Sequence, residues 1–238
     1  AYAQIEQGSF GELYEWLRTL PPEEARGLGM TRVSHINELY GGREQLEKLQ
    51  RREARFFNTC MMATALGAAV SDALEDGRVV SGIGGQYNFV AMAHALRDGR
   101  SVLLFRAVRE AGGECRSSVL WNYGHCSIPR HLRDVYINEY GIADLRGIDD
   151  AGCVRAMLAI TDARFAPKLL ECARRALKVP AGEQPELRRE NSPESVSQRL
   201  QPFRDSGLLC DYPLGCDFTP VEQRLAKALG WLKSATAT

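Results

Sequence analysis

Apolar positions near the start of the chain recur at helical intervals. Phe10, Leu13, Trp16, Leu17 and Leu20 share one face, Ser9 and Glu12 have the spacing of a capping box, and Pro21-Pro22 ends the run. The charged stretch REQLEKLQRREARFF, residues 43–57, has one apolar side at Leu46 and Leu49 and predicts a solvated helix. The pattern then changes. MMATALGAAVSDAL is apolar and rich in small residues, so it must pack closely, and short apolar runs begin to alternate with helical ones. Residues 78–80, 101–105, 118–121 and 134–137 read as strands. FVAMAHAL (residues 89–96), a segment from an Asp149 or Asp150 cap to Ile160, and residues 165–177 read as helices. Large apolar residues are nearly absent from Pro180 until Val196, the mark of a linker or surface excursion. Thr219, Pro220 and Glu222 then supply N-cap, N1 and N3 of a last helix, and Val221, Leu225, Leu229 and Leu232 give it a face for docking on the body.

This alternation predicts an α/β fold. It divides the chain into an N-terminal helical and connecting segment (1–58), an α/β core (59–178), a linker or excursion (179–202) and a C-terminal docking helix with its tail (203–238). The 238 residues, 45% of them hydrophobic, are enough for a core without disulfide or metal staples. Thirty Lys and Arg balance thirty Asp and Glu, which argues against nucleic acid as a partner but leaves room for a small basic pocket. No apolar run approaches the ~18 residues of a membrane span. The start, AYAQIEQGSF, lacks a signal-peptide profile and does not begin with Met, as expected of a processed chain or a piece of a longer one. The cysteines (Cys60, Cys115, Cys126, Cys153, Cys172, Cys210 and Cys216) are odd in number and form no Cys-x-x-Cys, so reduced, mostly buried thiols in a cytoplasmic protein are expected.

VVSGIGGQYNF, residues 79–89, is the most informative stretch for chemistry. A strand delivering the chain into Gly82-Ile83-Gly84-Gly85, with a helix leaving after it, gives a backbone that a ligand can approach closely. Exposed amides near a helix start can hold phosphate or a developing oxyanion. The stretch is not a Walker loop, since no Gly-Lys-Ser/Thr follows, and Tyr87 stands where the third glycine of a dinucleotide motif belongs. The four histidines, His35, His94, His125 and His131, have no metal spacing. His94 is expected to be a satisfied core or lining residue. His125-Cys126 invites a dyad, but adjacent side chains point apart and no third group is evident.

SGIGGQYNF together with INEYGIADLRG (residues 137–147) resembles the C-terminal domain of the acetyl-CoA hydrolase/acyl-CoA transferase family, which includes succinyl-CoA:acetate and 4-hydroxybutyrate CoA-transferases. The resemblance covers residues 55–178 and implies an open, mostly parallel or mixed sheet with helices on both faces, like the NagB/RpiA/CoA-transferase group. It implies acyl-CoA thioester chemistry, either CoA transfer between carboxylates or hydrolysis of acetyl-CoA-like thioesters, as in acetate metabolism. A glutamate attacks the thioester, and backbone amides meet the charge on the carbonyl oxygen. That donor carries over to Gly85. Ser81, Gly82, Gly84, Gly85, Gln86 and Asn88 are the expected CoA contacts of the loop, with Ser81 and Asn88 replacing the family's usual Asn and Asp. Arg109 is the match for a Lys near CoA. CoA and acyl-CoA enter as substrates and no cofactor is permanently bound. The partners implied are small carboxylates and either the N-terminal half of the same enzyme or a second copy in a homodimer. Aligning the glycine loops places the family's nucleophile before Ala1. Glu38 and Glu139 are the substitutes within the chain, with cap, turn or loop-fastening roles as their plainer reading. The competing expectation is a non-catalytic CoA- or acyl-CoA-binding module that lacks the nucleophile.

Overall fold

A computed structural model of the chain describes residues 10–29, 31–111, 113–180, 182–185, 187–209 and 218–235. Its helices are α1 (Phe10–Thr19), α2 (Pro22–Ala25), α3 (Ser34–Asn37), α4 (Glu44–Gln50), α5 (Gln86–Ala95), α6 (Asp150–Ala159), α7 (Ala166–Arg175), α8 (Pro193–Asp205) and α9 (Pro220–Ala235). Its strands are β1 (Arg55–Thr59), β2 (Met62–Thr64), β3 (Ala69–Val70), β4 (Arg100–Leu104), β5 (Val108–Ala111), β6 (Glu114–Ser117), β7 (Val119–Leu120), β8 (Val135–Asn138) and β9 (Gly141–Asp144). The chain forms two compact units, residues 32–200 and residues 1–31 with 201–238.

The larger unit has the expected mixed α/β architecture. Its main sheet runs β1-β4-β8-β9, with β1, β4 and β8 parallel and β9 antiparallel to β8. The two-residue period sets which side chains meet. Leu103 pairs with Tyr136, which pairs with Ala143, and these join Val90 of α5 and Val154, Met157 and Leu158 of α6 in one buried core. Phe56, on the same face of β1 as Leu103 on β4, stacks on Phe89 of α5 at 5.8 Å between ring centres. Tyr136 is fully buried; its hydroxyl donates to the Gly67 carbonyl at 3.1 Å and its ring meets Phe105 edge-on. Burial holds its phenol well above the ordinary value. A second sheet, β3-β2-β7, and the β5–β6 hairpin complete the unit.

Several boundaries follow the expected chemistry. The Asp149 carboxylate accepts the Gly152 amide at 2.7 Å and caps α6. Thr219 and Glu222 close a reciprocal capping box on α9, with the Thr219 amide on Glu222 at 2.8 Å and the Glu222 amide on Thr219 Oγ1 at 3.3 Å. The Ser9–Glu12 box lies outside the residues described, as do Cys210 and Cys216.

Other expectations need correction. The helix over residues 43–57 stops at Gln50. Glu53 takes a left-handed φ of 54°, and the chain re-enters as β1 with alternating exposure. Residues 78–80 form no strand: Val79 makes one isolated bridge to Ala73, and the Val80 amide donates to the Asp72 carbonyl instead of to a sheet. The segment after Pro180 contains α8, begun by a Ser192 cap and Pro193, with Asn191 buried and donating to the Ala159 and Thr161 carbonyls. Val221, Leu225, Leu229 and Leu232 of α9 are each about half exposed or more. His94 is satisfied, with its Nε2 2.9 Å from the Leu132 carbonyl oxygen, but at the surface. Cys60 and Cys153 are buried, whereas Cys115 and Cys126 are exposed.

Gly67 closes the turn between β2 and β3 at φ +86°, and an added Cβ there would lie 2.8 Å from Arg133 Cβ and 2.9 Å from Leu145 Cδ1. Gly67→Ala therefore combines backbone strain with overpacking. It should lower unfolding free energy by ~1–3 kcal/mol, read as a reduced urea midpoint at unchanged slope.

Candidate functional site

Parallel pairing makes β1, β4 and β8 end at the same edge, where Thr59, Leu104 and Asn138 stand. Ligands of open α/β sheets bind beyond that edge. A cleft of about 1230 Å³ opens there in this protein. Its walls come from the strand ends, from the β5–β6 hairpin and from the turn at Arg164. Arg106, Arg109 and Arg164 line it against Glu110 and Glu139, so the cleft carries a cationic excess.

The five charged groups differ in how far the protein already uses them. Arg164 is committed: its Nε and Nη2 bind both oxygens of Asp162 at 2.8 and 2.9 Å. Asp162 is fully buried and also accepts the Tyr140 hydroxyl at 2.7 Å. Burial alone would push its carboxyl up, but the hydrogen bonds from Arg164 and Tyr140 outweigh it and hold the group below the usual aspartate value. Glu139 is committed as well, both oxygens accepting the Ala107 amide at 3.1 and 3.0 Å, which fastens the chain leaving β4. Arg109, half-buried on β5, spends one nitrogen on the Ser117 carbonyl at 3.0 Å. Burial lowers its guanidinium from the ordinary value, and it still presents its remaining donors. Arg106 and Glu110 have no hydrogen-bond or ion-pair partner among the described residues. Two neutral groups complete the wall. Burial pushes the Cys60 thiol up to about 12, so it is no thiolate nucleophile. Ser118 is wholly buried, and its hydroxyl has no partner among the described residues.

The glycine loop does not line this cleft and is joined to it by the hydrogen bond from Gln86 to Thr59. Gly84 adopts φ +55° and Gly85 is the N-cap of α5, where a Cβ would lie 3.2 Å from the Phe89 ring and 3.3 Å from the Asn37 side chain, a tight fit. The amides of Gly82, Ile83, Gly84 and Gly85 donate to no acceptor among the described residues. Ser81, exposed, turns its hydroxyl onto the Gly82 carbonyl, and Asn88 sits half-buried in the first turn of α5. Gln86 makes the link to the cleft: buried at the start of α5, it donates to the carbonyl of Thr59 at 2.8 Å. Ser81 to Asn88 thus form one loop–helix junction, and Arg109 stands apart on the cleft wall. It also lines a second cavity of about 390 Å³ with Arg116, Trp121 and Lys168. Glu38 is exposed and caps α3, its carbonyl accepting Arg51 at 2.8 Å. Sequence reasoning passed over Arg106, Glu110, Ser118 and Arg164. The first two flank the Arg109 that it did name, so the dense charge after β4 was a usable signal.

An open mixed sheet with a crevice at its parallel strand ends is an architecture in which α/β domains place ligand sites. Residues 10–173 match the acetyl-CoA hydrolase/transferase C-terminal domain family, and the chain belongs to it. It is 25% identical over 114 residues to the 4-hydroxybutyrate coenzyme A transferase of Clostridium kluyveri, covering 48% of this chain and 26% of that protein. The crystal structure of RipA from Yersinia pestis superposes with a TM-score of 0.51 at 21% identity, over 62% of this chain and 32% of that one. A mutant RipA structure gives 0.57 at 22% identity, over 71% and 35%. At these identities the structural likeness shows the fold. The chain spans about a quarter of the length of the curated relative. Among the described residues no helix is long and apolar enough to cross a membrane.

The Asp162–Arg164 pair sets a pH dependence. A carboxyl held below its unfolded value contributes stability that is complete above the ordinary aspartate pKa of about 3.9 and is lost as pH falls through the lower native value. Arg164→Gln should therefore weaken the fold most at neutral pH, and its deficit against wild type should shrink as pH is lowered through about 4 toward 3. Urea midpoints measured across that range check this; parallel curves would contradict it.

Proposed function

We propose that this chain binds the CoA portion of an acyl-CoA and supplies the carbonyl-stabilising side of a thioester reaction, CoA transfer between carboxylates or hydrolysis. The observation that carries the reading is a cationic cleft at the parallel strand ends together with four loop amides that have no acceptor among the described residues, joined through Gln86 and Thr59. In this reading Arg106 and Arg109 receive phosphate or carboxylate charge as fixed multi-donor groups. The Gly85 amide, with those of Gly82 and Gly84, faces the charge that builds on a thioester oxygen. Ser81 and Asn88 border the same ligand, small carboxylates are the acceptors, and CoA is substrate throughout. Family membership and the name of the Clostridium kluyveri relative support the chemistry.

A second reading has its own support. Of the two glutamates named as substitute nucleophiles, Glu38 does not line the cleft and Glu139 has both oxygens on one amide. Within the cleft this leaves Glu110 as the carboxylate unengaged by described residues. A non-catalytic CoA- or acyl-CoA-binding module that lacks the nucleophile fits the engagement of Glu139.

Calorimetric titration with CoA tests the first step. Arg106→Gln and Arg109→Gln should each raise the dissociation constant about 10–100-fold, the loss of one charged hydrogen bond at ~1.5–3 kcal/mol. Absence of any binding by the wild-type chain at millimolar CoA ends the proposal. CoA release from acetyl-, propionyl- and succinyl-CoA, with and without acetate, then separates the two readings. Turnover that disappears in Glu110→Gln places the nucleophile in this chain, and binding without turnover favours the module.

A further inference from the structure

The segment entering the glycine loop is poorly buried: Val79, Val80 and Ile83 are 75%, 50% and 40% exposed. A segment with so few contacts opens locally at little cost unless something ties it. Its tie is concentrated on one residue. The Asp72 carbonyl accepts the Val80 amide at 2.8 Å and the Ser81 amide at 3.1 Å, immediately before Gly82. The Asp72 carboxylate accepts the Ser127 hydroxyl, and His125 Nε2 stands 3.0 Å from the same oxygen. A carboxylate only accepts, so that nitrogen carries the proton. Ser127 Oγ in turn receives the Ser71 amide at 2.8 Å. The Ser127 and Ile128 amides both donate to the Ala69 carbonyl, which anchors this segment on β3. Farther along, the Glu75 amide donates to the Tyr123 hydroxyl and the Gly124 amide donates to the Glu75 carboxylate, so the whole excursion is pinned to residues 123–127. The donors from Ser127, first, and His125 hold the Asp72 carboxyl below its ordinary range.

Serine, histidine and aspartate together invite comparison with a nucleophilic triad, and the order is wrong for one. There the imidazole lies between hydroxyl and carboxylate and takes the hydroxyl proton. Here the carboxylate lies between the other two, and the hydroxyl hydrogen points at it. The cluster is suited to holding backbone in place.

We propose that Asp72, with His125 and Ser127, is a positioning clasp that fixes the take-off of the glycine loop and thereby the direction of the Gly82–Gly85 amides. Asp72 couples two donors from the segment before β8 to the two amides that open the loop, so loosening either donor is felt at Ser81. The ligand that profits is CoA or its acyl thioester, and that part rests on the function proposed above.

Amide hydrogen exchange on the full chain tests the clasp without ligand. In Ser127→Ala and His125→Leu, the Val80 and Ser81 amides should exchange about tenfold faster, the effect of losing one charged hydrogen bond, while the Tyr136 and Ile137 amides of β8 keep their rates. Ser127→Thr and His125→Gln, which retain a donor, should restore protection. CoA affinity should weaken by a similar factor in the first pair and recover in the second. Unchanged exchange at Val80 and Ser81, or an equal rise throughout β8, overturns the clasp. A loosened loop with undiminished CoA affinity overturns its positioning role. If the wild-type chain binds no CoA, the functional proposal fails by itself, and the exchange comparison still decides the clasp.

Discussion

Parallel pairing of β1, β4 and β8 is the constraint from which the site follows. Parallel strands share a direction, so all three chain exits fall on one edge of the sheet. Whatever follows each strand must start there: Cys60 and Met61 after β1, Phe105 and Arg106 after β4, Glu139 after β8. Backbone exits alone would make a shallow lip. The β5–β6 hairpin, inserted after β4, raises one wall and brings Arg109 and Glu110 with it. Glu139 then stitches the end of β8 to Ala107, which holds the third exit against the second. Cleft position is thus fixed by strand direction, and cleft charge by the residues just past the strands.

How much of this was legible depends on whether the signal was local. Leu103 and Tyr136 lie in short apolar runs, and both runs are strands with the expected burial. The Asp149 cap and the Thr219–Glu222 box could be read because capping is settled within four residues. The beginning of β1 could not. RREARFF continues a charged helical pattern, and what breaks it is one left-handed residue, Glu53, followed by tertiary pairing with β4. Residues 78–80 failed for the converse reason: two valines have strand propensity, but Val79 makes only an isolated bridge to Ala73 and the Val80 amide goes to the Asp72 carbonyl.

The site was half visible. The glycine motif marked the α5 junction, whose Gly82–Gly85 amides have no acceptor among the described residues. The cleft itself draws on residues from Thr59 to Pro193. No spacing rule joins Arg164 to Arg106; only the fold does. Asp72 and Ser127 are 55 positions apart, and nothing in either neighbourhood marks them as partners.

Charge placement is what would let a neutral chain offer the proposed anion site. Thirty acids and thirty bases cancel overall, so selectivity must come from which charges are already satisfied. Buried Asp162 binds the half-exposed Arg164 through hydrogen bonds, and removing Arg164 would leave the buried carboxylate without its cation. That pair is scaffold. Arg106 faces the same cleft without an ion-pair partner among the described residues, and Arg109 gives up one donor to a neutral carbonyl. On the proposed function, an incoming phosphate or carboxylate would meet two arginines that no ion pair engages among the described residues. Reaching them does not require breaking an existing pair, which is the condition for an arginine to add affinity instead of exchanging one partner for another.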